Sequence, residues 1–203
     1  MAIAFDAASN GIQGTATSWT WAHTCTGSDR ILFVFGHQVS NISGVTYAGV
    51  SMSILGPVGD VALWYLVNPA TGTNNVVASG SNNYSRFCSS SYTGIDTSRG
   101  VLASAGPSGN TPLVGTLVTP EANCWLVMCG RGSGTLTAGA NTIARANPGG
   151  DGQELLVDSN GPRSAGSNSV TIQGNSGTYY GVVADFAPVP IPVVVSGNYA
   201  FFM

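Results

Sequence analysis

The sequence predicts an all-β protein: a two-sheet antiparallel β-sandwich, jelly-roll or concanavalin-like, with an extended C-terminal arm. Three observations carry this. Strand-like apolar runs recur roughly every ten residues, broken by Gly, Asn, Ser and Pro. No long 3.6-residue periodicity flanked by caps marks a helix. Near the end, Pro188, Pro190 and Pro192 stand at alternate positions, which forces an extended backbone that cannot pair fully in a ladder.

Taken in order, strands are expected near 2–6, 16–25, 30–37, 44–54, 61–67, 73–79, 85–94, 112–119, 123–130, 134–138, 152–157, 168–173 and 178–187, with a further one within 192–202. In "SWTWAHTC", Trp19, Trp21, His23 and Cys25 share one face, as a half-covered strand requires. "VTYAGVSMS" reads as a hairpin turning near Ala48 and Gly49. "ILFVF", "ALWYLV" and "WLVMC" are apolar on both faces, which suits central strands covered on two sides. A two-sheet sandwich covers only one. Loops are the default cover for the second face of Val61–Val67; a neighbouring subunit or bulges that re-aim the side chains are the alternatives. "NPATGT" ends that strand, with Pro69 unable to donate and Gly72 supplying a positive φ. "RANPGGDGQE" and "SNGPRSAGSNS" read as loops. The expected core includes Trp19, Trp21, Phe33, Phe35, Trp64, Leu66, Trp125 and Val127. The organisation is one sandwich domain over 1–187 and a Pro-rich arm over 188–203.

Composition narrows the function. Charged residues make up 7% of the 203, against about 25% in an ordinary soluble domain. There is no lysine; the six cations are Arg30, Arg86, Arg99, Arg131, Arg145 and Arg163. With a net charge of −3 and no basic cluster, a nucleic-acid partner is not expected. Nor is a membrane partner, since no apolar run approaches the roughly 18 residues of a spanning helix. "MAIAFDAASNG" lacks the basic and apolar regions of a secretory signal. Export without a signal, or release at lysis inside a particle, would account for that. Cys25, Cys88, Cys124 and Cys129 match no zinc spacing. Either they are buried free thiols, or Cys25 or Cys88 takes part in a cross-strand disulfide.

Chemistry is sparsely signalled. Glycoside hydrolysis needs two carboxyls about 5–9.5 Å apart. Glu121, Asp151, Glu154 and Asp158 read instead as solvated groups in or beside loops. Asp151, Gln153, Glu154, Asp158 and Asn160 are the richest oxygen cluster but fit no calcium loop. No G-x-S-x-G elbow accompanies His23 or His37, and His23 on the tryptophan face reads as a core histidine. Arg30 is expected to pair with Asp29 or cap a hairpin. No catalytic residue, metal or cofactor is expected. Aromatic platforms for a sugar would be Tyr84, Tyr92 and Tyr179, with Tyr180 and Tyr199 as further candidates. The tail "VVVSGNYAFFM" is apolar where a disordered tail would be polar. Val193, Val195, Tyr199, Phe201 and Phe202 are therefore the candidate assembly interface, adding to their own domain or to a neighbour.

His23, Cys25, Gly27, Arg30 and Leu32 form an H-x-C-x-G-x-x-R-x-L strand pair. Val45, Thr46, Tyr47, Gly49 and Met52 form a V-T-Y-x-G-x-x-M hairpin, and Leu63 to Leu66 with Pro69 and Gly72 an L-W-Y-L-x-x-P-x-x-G turn. These motifs resemble a family of mostly uncharacterised β-sandwich proteins encoded by bacteria and tailed phages. The resemblance spans roughly 1–187 and implies a concanavalin-like or jelly-roll sandwich, but no activity. With the composition, it leads to the expectation of a non-enzymatic structural protein of a tailed-phage virion, a capsid decoration or outer tail component. Such a protein is made in the host cytoplasm and found in the particle. Its partners would be copies of itself and other virion proteins. A carbohydrate-binding surface or adhesion module, with host surface glycans as partners, is the alternative, and a glycan hydrolase using Glu121 and Glu154 a weaker third.

Overall fold

The computed structural model describes residues 1–149, 152–175 and 177–190. The chain begins with β1 (Ala4–Ser9), β2 (Gln13–Cys25), β3 (Ile31–His37), β4 (Ile42–Tyr47), β5 (Val50–Ser51) and β6 (Ser53–Val58). Next come β7 (Val61–Val67), the long β8 (Gly72–Thr93), β9 (Val101–Ala105), β10 (Ser108–Gly109), β11 (Leu113–Thr119) and β12 (Trp125–Arg131). The series ends with β13 (Thr137–Ala138), β14 (Ile143–Ala146), β15 (Glu154–Asp158), β16 (Gly166–Gln173) and β17 (Tyr179–Phe186).

All pairings are antiparallel. The first sheet runs β5-β4-β8-β3-β7-β6, with β1 and β2 on the free edge of β8. The second runs β10-β17-β12-β15-β14, with β9 also on β17, and the third β11-β16-β13. The first two sheets face each other as a sandwich. Their shared core holds Phe33, Phe35, Leu63 and Tyr92 on one side and Val127, Leu156, Val182 and Phe186 on the other.

The doubly apolar strands are explained by two further layers. On β3 and β7, alternate residues Leu32, Val34, Ala62 and Trp64 turn away from the sandwich and pack with Trp19, Trp21, Val45, Tyr47 and Val76. The cover comes from the first sheet itself. Trp21 pairs with Val76 in β8, yet its indole Nε1 donates to Ser89 Oγ at 3.2 Å. In a straight strand residues 76 and 89 would lie about 43 Å apart, so β8 folds back over itself and carries β2 and β4 with it. Register shifts between Ala16 and Ser18 and between Ile42 and Gly44 mark the bend. Gly80 makes it possible, because a Cβ there would sit 2.1 Å from the Asn41 carbonyl oxygen. Strands, not loops or a neighbour, therefore cover the outer face of Val61–Val67. The third sheet does the same for the second: Leu113, Leu117, Val170 and Ile172 pack on Leu126, Met128, Leu155 and Val183.

Several local expectations are sharpened. The segments 73–79 and 85–94 are one bent strand, and β9, β10 and β14 were not anticipated. Ala48 (φ 49°) and Gly49 (φ 80°) form a two-residue turn between the paired Tyr47 and Val50. Arg30 does not pair with Asp29; its Nε donates to Pro69 O at 2.9 Å and its Nη1 to Gly27 O, pinning the turn after β7. All four cysteines are free and buried. At the arm's root, Pro188 bridges to Ile95, and Val189 N donates to Gly94 O at 3.0 Å. The candidate interface residues Val193, Val195, Tyr199, Phe201 and Phe202 lie outside the described residues.

Candidate functional site

Three strand ends, the interior of β8 and one turn bring the main polar cluster together. His37 ends β3 opposite Arg86 in β8, and Arg131 ends β12 opposite Glu154 at the start of β15. Asp60 lies in the turn between β6 and β7. Arg86 Nη1 donates to Glu154 Oε1 and Oε2 at 2.8 and 2.7 Å. His37 Nε2 lies 3.1 Å from Asp60 Oδ2. His37 Nδ1 lies 2.9 Å from Glu154 Oε1, an ion-pair distance whose angle falls outside hydrogen-bond geometry. Arg131 Nη1 reaches Asp60 Oδ2 at 2.5 Å. Burial works against a charged His37, but Asp60 and Glu154 outweigh it and raise the imidazole above its ordinary value. Burial also opposes the charge on Asp60; His37 and Arg131 overcome it and hold that carboxyl below its usual range.

A second buried pair lies further along β15. Arg145 Nε donates to Asp158 Oδ2 at 2.6 Å, Tyr92 Oη donates to the same oxygen at 3.0 Å, and the guanidinium sits 3.9 Å over the Phe5 ring. Glu154 and Asp158 are thus not solvated loop groups. Both are 0% exposed, on the inward face they share with Leu156. Four residues apart on one strand, they stand about 13 Å from each other, too far for a glycosidase pair. Each is neutralised by an arginine, which explains how carboxylates persist inside this sandwich. Among the described residues no cluster of three His, Cys, Asp or Glu is placed to hold a metal; Asp151 lies outside them.

A third network surrounds His23. Its Nδ1 lies 3.1 Å from Ser9 Oγ and 2.9 Å from Ser89 Oγ, its Nε2 lies 3.0 Å from Ser91 Oγ, and Ser91 Oγ donates to Asp6 Oδ2 at 2.8 Å. The residue types are those of a nucleophilic relay. His23 is 1% exposed, burial pushes its pKa down to about 4, and its hydrogen-bond link to Asp6 runs through Ser91. The hydroxyls give the imidazole partners between the folded-back strands and β8.

Two of the three aromatic sugar platforms are corrected. Tyr92 and Tyr179 are 0% exposed and belong to the cores, because their strands are covered on both faces. Tyr84 is 38% exposed, with its hydroxyl on Gln13 Oε1 at 3.1 Å and the Arg86 guanidinium 5.4 Å from its ring. Tyr180 borders a small polar cavity of about 190 Å³ with Arg131, Gln153 and Thr178.

A second opening, larger than this cavity, has a different character. A groove of about 490 Å³ runs between the N-terminal residues 1–3, the segment 121–125 and the arm's root at 188–190. Met1, Ile3, Trp125, Pro162, Pro188 and Pro190 give it an apolar lining. Its one acidic residue, Glu121, is engaged by Arg99 Nη2. The wall is held by Asn123 N donating to Arg163 O at 2.7 Å and Arg163 N donating to Cys124 O at 2.8 Å. Sequence reasoning missed this groove; its only signal is that apolar N-terminal residues and the proline run both flank the sandwich. No family model, curated protein or solved structure matches the chain. The resemblance to the bacterial and phage family rests on its quoted motifs alone.

Proposed function

We propose that this chain is a non-enzymatic structural protein of a tailed-phage virion, a capsid decoration or outer tail component that assembles through apolar β surfaces. The observation that carries the reading is the apolar groove at the root of the C-terminal arm, adjoining an uncharged and largely apolar final segment. Such a surface pair is suited to joining subunits. The low charge of the chain and the use of Glu154, Asp158 and His23 as internal struts support it, and the motif resemblance supplies the phage setting. Negative-stain imaging of the purified full-length protein tests the reading. Rings, trimers or filaments are expected; a field of dispersed monomers would overturn it. The second reading, a carbohydrate-binding or adhesion module, draws on exposed Tyr84 and on the polar cavity beside Tyr180. A glycan array answered by the parent protein and silent for Tyr84→Ala would favour it.

A further inference from the structure

We infer that the groove between residues 1–3, 121–125 and 188–190 is the receiving site for the C-terminal segment 191–203 of a second copy of this chain. The inference rests on the assembly reading and names where assembly happens. Three observations converge on it. First, the groove is apolar and open, and the charge of Glu121 on its wall is committed to Arg99. Second, the chain continues directly from the groove's wall. Pro190 lines it, and the 13 residues that follow, "IPVVVSGNYAFFM", hold no charged side chain. A volume of about 490 Å³ takes a few medium-sized side chains of such a segment.

Third, the sequence at the exit disfavours a tight return onto the groove that Pro190 itself lines. Ala187, Val189 and Ile191 each precede a proline, and Pro188, Pro190 and Pro192 fix their own φ. Both restrictions favour extended backbone and oppose a reversal before Val193. An extended spacer covers about 3.1 Å per residue, so three residues span roughly 9 Å. The first turn signal after that is Ser196-Gly197-Asn198. A segment stiffened in this way at its start is suited to the same groove on another copy rather than to the groove it leaves. The outer face of β7 does not compete for the segment, because the folded-back strands already cover it.

A complementation experiment on full-length protein tests this. Ala122 is exposed on the groove, so Ala122→Arg charges the receiver without touching a core; Ala122→Glu is a second groove variant of opposite sign. Phe201→Asp with Phe202→Asp charges the donor. Light scattering should show each variant alone as a 20.6 kDa monomer. Mixing a groove variant with the donor variant should give a one-to-one complex, because one intact segment and one intact groove remain. If the groove variants assemble as the parent does, or the mixture stays monomeric, the groove is not the receiver, while the assembly reading stands on the parent's own mass. If the parent is itself monomeric, the assembly reading and this inference both fail.

Discussion

Replacing Glu154 with glutamine removes one charge from the interior and almost no volume. In the parent, Glu154 is 0% exposed and receives both hydrogen bonds from Arg86 Nη1, and Arg86 has a side chain only 15% exposed. The variant leaves that guanidinium facing a neutral amide and takes from His37 one of its two carboxylates. Breaking a buried pair by neutralising one partner costs roughly 3–5 kcal/mol. In a domain of this size each kcal/mol moves the melting temperature by about 2–4 °C, so a fall of roughly 6–20 °C is expected. Thermal unfolding followed by circular dichroism measures it. Replacing both partners together, Arg86→Met with Glu154→Leu, should recover much of the loss, since no charge is then left buried alone. A single variant melting within about 2 °C of the parent would refute the assignment of Glu154 as an internal strut.

Three further outcomes follow from the structure. Trp64 is 3% exposed, and its ring lies so close to Gly36 that a Cβ there would be 2.8 Å away, so Trp64→Ala should cost roughly 3–5 kcal/mol in denaturant titration; an unchanged midpoint would remove it from the core. The folded pKa of His37 is raised, so its contribution is complete below the unfolded value and lost as pH rises through the folded one. His23 is depressed to about 4 by burial, so the native state refuses a proton that the unfolded chain accepts, and stability falls as pH drops from about 6.5 toward 4. His37→Gln should flatten the limb above pH 6.5 and His23→Asn the limb below it, and melts that retain both slopes would contradict these roles. Cys129 is pushed up to about 12 and Cys124 to about 11, both chiefly by burial, so a thiol reagent should find the native protein inert and four thiols in denaturant; fewer than four would mean a disulfide.

The sequence revealed strands wherever punctuation was local. The turn at Ala48 and Gly49 and the Asn68 to Gly72 reversal could be placed because Gly49 and Gly72, both at positive φ, punctuate them. The doubly apolar runs in β3, β7 and β12 correctly announced cover on both faces, but not what covers them. "ASGSNN" looks like a turn, whereas its residues bend inside one strand because β2 and β4 pair along it on both sides. The buried carboxylates were missed for a related reason. Glu154 and Asp158 share the parity of inward Leu156, a signal that was present, but their neutralising partners Arg86 and Arg145 come from other strands. Without those partners a carboxylate reads as solvent-facing. The groove was illegible because residues near 1, 122, 162 and 189 meet only through the sheet topology.

The claim that copies of this chain join through the groove and the arm is tested most directly by sedimentation of the full-length protein over a dilution series. Masses at multiples of 20.6 kDa are predicted, collapsing to 20.6 kDa when Ala122→Arg is introduced. A parent that sediments at 20.6 kDa at every concentration would contradict the account.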